Sequence, residues 1–456
     1  LFVNREKELK LLKEEYIEEG FRFSVIYGRR RVGKTSLIKE YIKNRPSIYF
    51  LVTLESEFIL LKRFQELVAD FFDDDFLRNI ELKDIKQLFE YISSKTLEKK
   101  LIIVIDEFQY LTKINKSVPS IFQYIFDEIL KNKNIHMILC GSIISMMYEQ
   151  TLSYNSPLYG RRTSSIKLEA LDFRYLKEFF KNKNSIELVE LYSVLYGIPK
   201  YIEMFKDTDN IYDSIEKNIL NKNSYLYDEA FFILNNEVSE SITYFTILEV
   251  IASGEHKIGN IAGKLNKNVQ NITSFISKLI ELDIIYKEIP ITEINPAKSK
   301  KGLYYIKDNF FRFWFAYVLT QKSQLEIENT KIVIDKIKID FPNFVSKTFE
   351  NLSIQYALKN FDIEKCGRWW DKSIEVDLVG VSKNSIIVGE CKYSNKKVGV
   401  NILESLKEKA KFIDTNLPIT KYLLFSKSGF TEELINLSKK EQNISLVSID
   451  EFLEKL

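Results

Sequence analysis

The chain has 456 residues, length for about three domains at ~100 to 200 residues each. Its 45% hydrophobic and 29% charged residues are ordinary for globular protein, and a formal net charge of +2 excludes a globally basic nucleic-acid binder. Cys140, Cys366 and Cys391 form no CxxC pair and His136 and His256 lie far apart, which excludes a Cys/His zinc site in practice and argues against a disulfide framework. Reduced, buried thiols in a cytoplasmic protein are expected. No apolar run approaches the ~18 residues that span a bilayer, so no membrane partner is expected. The first residues, LFVNREKEL, lack the apolar core of a signal peptide, and with no initiator Met a trimmed chain is expected.

The first 165 or so residues alternate helix and strand patterns. Arg5 to Glu19 is amphipathic; Phe23 to Tyr27 (FSVIY) is a short buried strand; GRRRVGKT follows, then a helical run from Ser36 to Lys43. Ser47 to Thr53, Leu101 to Ile105 and Ile135 to Cys140 are further strand runs. This alternation predicts a parallel sheet covered on both faces. Asp172 to Phe232 reads as mostly helical, broken at Gly197 and Pro199. Glu237 to Phe310 reads as three short helices and a hairpin, the pattern of a winged helix. An aromatic helix follows Phe310, then a mixed α/β segment with strands at Ser373 to Val381, Ser385 to Tyr393, Lys421 to Ser426 and Ile444 to Ser448.

The run Gly28-Arg29-Arg30-Arg31-Val32-Gly33-Lys34-Thr35 matches the P-loop pattern, between a strand and a helix that starts at Ser36. Backbone N–H groups and the helix dipole would cradle phosphate, Lys34 would reach the β- and γ-phosphates, and the Thr35 hydroxyl would hold Mg²⁺. ATP with Mg²⁺ is therefore the expected ligand. LIIVIDE ends a buried strand in two carboxylates; Asp106 suits the Mg²⁺ shell and Glu107 the polarising of an attacking water. Ser142, at the tip of the next strand run, is either a γ-phosphate sensor or part of a simple turn. Arg161 and Arg162 follow an LYG turn; they are either solvated surface residues or cations that neutralise phosphoryl charge. A finger acting in trans would require a homo-oligomer.

Together, FVNREKEL, GRRRVGKTSL, VIDEFQYL, CGS, LYGRR and YGIPKYI resemble the archaeal-type ATPases of the AAA-related STAND branch over roughly the first 310 residues. The resemblance implies that Arg5 and Glu6 lie by the adenine, that Pro199 in the Gly197-Ile198-Pro199 turn of a helical lid touches nucleotide, and that Arg161 or Arg162 is the finger. Members of that family often carry a C-terminal domain resembling PD-(D/E)xK nucleases.

Strand alternation places Glu375 and Asp377 on one face, and Glu390 with Lys392 on one face of the next strand. A hairpin would unite Asp377, Glu390 and Lys392: two carboxylates for Mg²⁺ and an ammonium to orient water, the machinery for phosphodiester hydrolysis. Glu350 is a further candidate metal ligand from an upstream helix. Val376 stands where the motif name has Pro. The alternative is a solvent-facing edge hairpin.

The expected fold class is α/β: a P-loop NTPase core (1–168), helical lid (169–235), winged helix (236–310), helical linker (311–342) and restriction-endonuclease-like α/β domain (343–456). The winged-helix segment carries nine Lys against nine acids, so phosphate attraction there rests on Lys298, Lys300 and Lys301 at the wing. Lid service ranks above DNA reading for it. Two functions remain open: an ATP-controlled enzyme cutting DNA, or an ATP-dependent switch whose C-terminal domain binds DNA or protein without cutting. A small-molecule kinase is disfavoured, since the chain after Thr163 shows no evident small-substrate pocket.

Overall fold

The computed structural model describes residues 2–206, 209–238 and 241–456. The chain divides into two compact units, Leu1–Ala170 and Leu171–Leu456. No helix among the described residues is long and apolar enough to cross a membrane.

In the first unit, α1 (Glu6–Ile17) precedes β1 (Arg22–Tyr27), α2 (Lys34–Ile42) and β2 (Ser47–Leu51). Then come α3 (Glu57–Phe72), α4 (Ile85–Ser94), β3 (Leu101–Asp106), β4 (Ile135–Gly141) and β5 (Ser164–Lys167). The five strands pair in the order β2-β3-β4-β1-β5, all parallel. Every residue of β3 and β4 is buried, as a sheet sandwiched between helices demands of its central strands. The core continues into α3 and α4: the ring of Phe64 stacks 4.6 Å from Phe50 of β2. Burying such a ring contributes roughly 1.5–3 kcal/mol. Ser56 caps α3 by accepting the Ile59 N–H.

The second unit opens with helical segments, among them α5 (Ser185–Leu195), whose N-terminus is closed by a capping box between Asn184 and Glu187. Next are α6 (Ser241–Ala252), α7 (Ile258–Lys264), α8 (Val269–Glu281) and the antiparallel pair β6 (Ile285–Glu288) and β7 (Leu303–Ile306). After α9 (Asn309–Phe313), α10 runs from Thr330 to Asn360. The sequence boundary drawn between 342 and 343 therefore falls inside one continuous helix, which tolerates Pro342. Its buried flank, including Phe341, Phe344, Val345 and Phe349, holds the helix across the hydrogen bond that proline cannot donate.

A second sheet follows: β8 (Lys365–Asp371), β9 (Ile374–Val381), β10 (Ile386–Lys392), α11 (Val400–Ala410), β11 (Ile419–Ser426) and β12 (Ile444–Ser448). Its order is β12-β11-β10-β9-β8, antiparallel from β8 to β10 and parallel from β10 to β12. The edge strand β8 is absent from the sequence reading. Its run KCGRWWD lacks apolar alternation, yet Trp369 is buried. The segment between β6 and β7 lies against this edge: the Ile291 N–H donates to the Arg368 carbonyl at 3.0 Å, and Lys365 Nζ donates to the Ile291 carbonyl at 2.9 Å. Of the three lysines expected to reach for DNA, Lys301 instead pairs with Asp371 at 3.5 Å.

Gly197 has φ 69°, and a Cβ there would lie 2.0 Å from the Leu171 carbonyl oxygen. Both the left-handed backbone and the close approach require glycine. Gly197→Ala is expected to destabilise the second unit by about 2 kcal/mol or more, read as a lower urea midpoint for the full chain. An unchanged midpoint would show that the turn relaxes freely.

Candidate functional site

The carboxyl ends of β1 and β3 lie at one edge of the first sheet, with β4 between them. β1 runs into the glycine-rich loop at Gly28, whose φ is 151° and where a Cβ would lie 2.4 Å from the Leu168 carbonyl oxygen. The loop feeds α2, which begins at Lys34 with Gly33 as its N-cap. Lys34 is buried and its Nζ donates to the Gly28 and Arg29 carbonyls, each at 2.8 Å. Burial holds its ammonium below the ordinary lysine value.

Thr35 Oγ1 donates to Asp106 Oδ2 at 3.1 Å, bringing the loop hydroxyl onto the carboxylate at the end of β3. The same oxygen accepts from Tyr49 of β2 at 2.5 Å. Burial and the Asp106 carboxylate push the Tyr49 phenol well above its usual range. Hydroxyl and carboxylate meeting at one point is the donor set that suits a hard divalent cation. Glu107 has φ 58°, and its Oε2 accepts from Ser142 Oγ at 2.8 Å and from Gln109 Nε2. Ser142 is thus brought to Glu107. Gly141 makes room: a Cβ there would lie 2.3 Å from Gln109 Oε1.

The Arg5 guanidinium spans the unit, with Nη2 donating to the carbonyls of Val32 at 3.1 Å and Glu169 at 2.7 Å. Arg30 donates to the Tyr110 hydroxyl at 2.8 Å. Arg161 is committed elsewhere: it forms an ion pair with Asp127 at 2.7 Å and donates to the Pro157 carbonyl at 2.7 Å. Arg162 lies over the Tyr159 ring at 5.7 Å and acts electrostatically on Tyr27, the residue before the loop. Pro199 belongs to the second unit, where it opens the helix Pro199–Met204.

In the second sheet the β9–β10 ladder runs from Ile386–Val381 to Gly389–Leu378, and Glu390 and Asp377 are the next residues along their strands. Asp377 Oδ2 accepts the Cys391 N–H at 2.8 Å. Burial, the Glu390 charge and the Glu350 charge push the Asp377 carboxyl up to about 6. Glu390 is buried, and Lys392 Nζ donates to its Oε1 at 2.7 Å. Lys409 of α11 donates to both Glu390 oxygens, at 2.9 and 3.0 Å. Glu350 lies within electrostatic reach of Asp377 but bonds to Lys347 at 3.5 Å and approaches Arg368 Nε at 3.8 Å. Among the described residues no group of three or more His, Cys, Asp or Glu is placed to hold a metal ion. Burial first and the Glu390 charge second lift Asp377, while Glu390 itself is paired with Lys392 and Lys409.

Three residues of these clusters escaped sequence reasoning. Gln109 was legible in IDEFQ, two places after Glu107. Tyr49 and Lys409 come from neighbouring elements with no local signal.

A buried sheet edge joining a glycine-rich loop, Lys34, Thr35 and Asp106 defines a P-loop ATPase fold. A family described as an ATPase domain predominantly from Archaea matches residues 2–205, and one of archaeal and bacterial proteins of unknown function matches 314–409. The chain is 39% identical over 391 residues to the uncharacterized protein MJECL04 of Methanocaldococcus jannaschii, covering 84% of this chain and 85% of that one. It is 23% identical over 315 residues to an uncharacterized ATP-binding protein, MJ0074, of the same organism, covering 58% of this chain and 83% of that one. Among solved structures, a Walker-type ATPase of Pyrococcus abyssi shares the fold, with TM-score 0.50 and 21% identity over 69% of this chain and 96% of that one. The chain belongs to this family of archaeal ATP-binding P-loop ATPases.

The Asp377 carboxyl, at about 6 in the folded chain, ionises near ~3.9 when unfolded. The unfolded state releases the proton first, so stability falls as pH rises through that window. Asp377→Asn keeps an acceptor for the Cys391 N–H while removing the charge. It is expected to raise the urea midpoint at pH 7.5, with the gain vanishing near pH 4. A loss of stability at pH 7.5 would contradict the repulsion.

Proposed function

We propose that the chain hydrolyses Mg²⁺-ATP at the loop from Gly28 to Ser36 and couples this to DNA through its C-terminal domain. The observation that carries the first half is the Thr35–Asp106 contact at 3.1 Å, beside Glu107 and Ser142. Thr35 and Asp106 would hold Mg²⁺, which supplies neutralisation of phosphate charge. Lys34 exchanges the carbonyls of Gly28 and Arg29 for phosphate oxygens. Glu107, pinned through Oε2, keeps Oε1 for the attacking water and takes its proton. Ser142 reports the γ-phosphate to the same carboxylate. Arg162 is a better finger than Arg161, whose guanidinium is held in the ion pair with Asp127. Arg5 orders the adenine side through the Val32 carbonyl, and Pro199 closes the lid.

The second half rests on Asp377, whose Oδ2 accepts the Cys391 N–H between Glu390 and Lys392, which supports reading the three as the set of a PD-(D/E)xK nuclease. Asp377 and Glu390 would hold Mg²⁺, with Glu350 adding charge, and Lys392 orients water. The helices α6 to α8 and the β6–β7 pair form a winged helix between lid and nuclease-like domain. A direct link exists within the second unit: the Tyr393 hydroxyl, next to Lys392, donates to Glu190 of α5 at 3.0 Å. Displacing α5 would therefore pull on the end of β10. A non-cutting switch is favoured by one observation, the two lysines that already neutralise Glu390.

Lys34→Ala should weaken ATP binding by ~10- to 100-fold in calorimetry, the worth of a charge-assisted phosphate contact. Glu107→Gln should keep binding while lowering kcat by ~100-fold or more. A Glu107→Gln chain with normal turnover would remove that residue from the chemistry.

For the C-terminal centre, plasmid and branched DNA would be incubated with Mg²⁺ or Mn²⁺, with and without ATP. Cleavage by the wild-type chain, lost in Asp377→Ala, is the expected result. Intact ATP hydrolysis with no cutting under any condition would establish the switch.

A further inference from the structure

Charge is unevenly spread over the segment from Glu237 to Phe310. Its nine lysines and nine acids cancel in total, yet residues 256–280 hold four of those lysines and none of the acids. The acids around this stretch are engaged elsewhere. Glu255, just ahead of it, accepts from Asn260 at 2.9 Å, Asp283 pairs with Lys307 at 2.7 Å, and Glu288 pairs with Arg368 at 3.0 Å.

The acid-free stretch is folded as α7, α8 and the turn at 265–268 between them. Asn266 takes the left-handed backbone there, φ 52°, and the Lys267 N–H closes α7 by donating to the Ala262 carbonyl at 2.9 Å. α8 buries Ile272, Ile276 and Leu279 along one side. At about 3.6 residues per turn, its opposite side carries Gln270, Ser274 and Ser277, flanked by Asn271 and Thr273. All five are exposed. The large apolar residues exposed on α8 are Val269 and Ile280, at its two ends, so this side offers no apolar anchor to a protein partner.

The lysines lie at the N-terminal end of α8. Lys264 ends α7 and Lys267 lies in the turn; both are exposed, and neither forms an ion pair among the described residues. Lys267 Nζ reaches along α8 to within 5.8 Å of the Phe275 ring centre. Asn268, the N-cap, makes no side-chain bond to the first turn of the helix, so the dipole end of α8 adds to the same positive field. Lys278 is the exception, held by Glu281 at 2.9 Å toward the other end. The lysines of the β6–β7 connection are placed differently: that segment lies against β8, and Lys301 is paired with Asp371.

We propose that α8 docks in the major groove of duplex DNA, with Lys264 and Lys267 on phosphates beside its N-terminus and Gln270, Asn271 and Ser274 at base edges. The groove of B-form DNA, about 12 Å wide, admits one helix, and side-chain amides can pair with adenine edges there. Serines on the outer side let the helix backbone come close. A-form RNA keeps its major groove too deep and narrow for this approach. The proposal names a contact surface for the DNA half of the functional reading and rests on that half, not on cutting at Asp377.

The test is binding of a fluorescein-labelled DNA duplex of mixed sequence to the full chain, read by anisotropy in EDTA so that metal-dependent cutting does not enter. Lys264→Glu with Lys267→Glu should weaken binding ~10-fold or more and lower the slope of log affinity against log salt by about 2, whereas Lys264→Arg with Lys267→Arg should keep both. Ser274→Trp adds bulk to the outer side of α8 and changes no charge; it too should weaken binding ~10-fold or more. An RNA duplex of the same sequence should bind more weakly than the DNA. Duplex binding unchanged in both sets of variants would leave DNA to the C-terminal domain and overturn the role of α8. Equal binding of the RNA duplex would overturn docking in the groove. No duplex binding by the wild-type chain would overturn this proposal and the DNA half of the functional reading together.

Discussion

The contact between the Thr35 hydroxyl and the Asp106 carboxylate is the constraint on which the first unit depends. The two residues are 71 positions apart in sequence and meet at 3.1 Å. They do so because β1 and β3 run parallel and end at the same edge, separated only by β4. A parallel sheet collects the loops that follow its strands at one edge, where helix N-termini also point. The buried apolar runs of β3 and β4 fix that edge, since a slip of either strand would carry Asp106 or Ser142 away from the loop. Core packing and site geometry are therefore one requirement in this unit.

In the second unit, a largely buried arginine joins three strands through a charge network. Arg368 of β8 bonds to Glu288 of β6 at 3.0 Å, to the Tyr305 hydroxyl of β7 at 2.7 Å and to Glu375 of β9. Lys347 of α10 adds a longer contact to Glu288 at 3.7 Å. Removing these charges from water is costly, and the network returns that cost only while every partner stays in place. It therefore acts less as glue than as registration. It joins the β6–β7 pair to the edge of the second sheet.

Much of this was legible in sequence, and the misses share a cause. Local patterns carried the P-loop, the strand before Asp106 and the pair β9–β10, because each is a contiguous apolar run with its chemistry at one end. The strand β8 was not legible: an edge strand with Lys365, Arg368 and Asp371 has no apolar alternation, and its pairing partner supplies the order. Pro342 lies at a boundary that the fold does not make, because tertiary packing of α10 overrides the local penalty. Glu350 was placed with the carboxylates by its helix, where Lys347 is its i,i+3 neighbour, yet the approach of Arg368 from β8 could be located only in three dimensions. Lys409 lies 19 residues beyond Glu390, and no spacing rule links a helix residue to a strand residue at that distance.

The two candidate centres differ in what holds their carboxylates. Asp106 is held by the hydroxyls of Thr35 and Tyr49, neutral donors whose exchange for a cation costs roughly 1 kcal/mol each. Glu390 is held by the ammonium groups of Lys392 and Lys409, whose charge-assisted bonds are about twice as strong. A divalent cation arriving at Asp106 meets a negative site; one arriving at Glu390 meets a carboxylate already neutralised. On the proposed reading, the first centre would take its cation by exchanging neutral hydroxyls, whereas the second would need at least one lysine to swing away. Lys409 is the candidate, because Lys392 is fixed by the strand that carries Glu390 itself, while Lys409 sits on α11 and reaches across. In the proposed nuclease, control over cutting would lie in that helix and in the α5 contact to Tyr393, not in the affinity of the carboxylates.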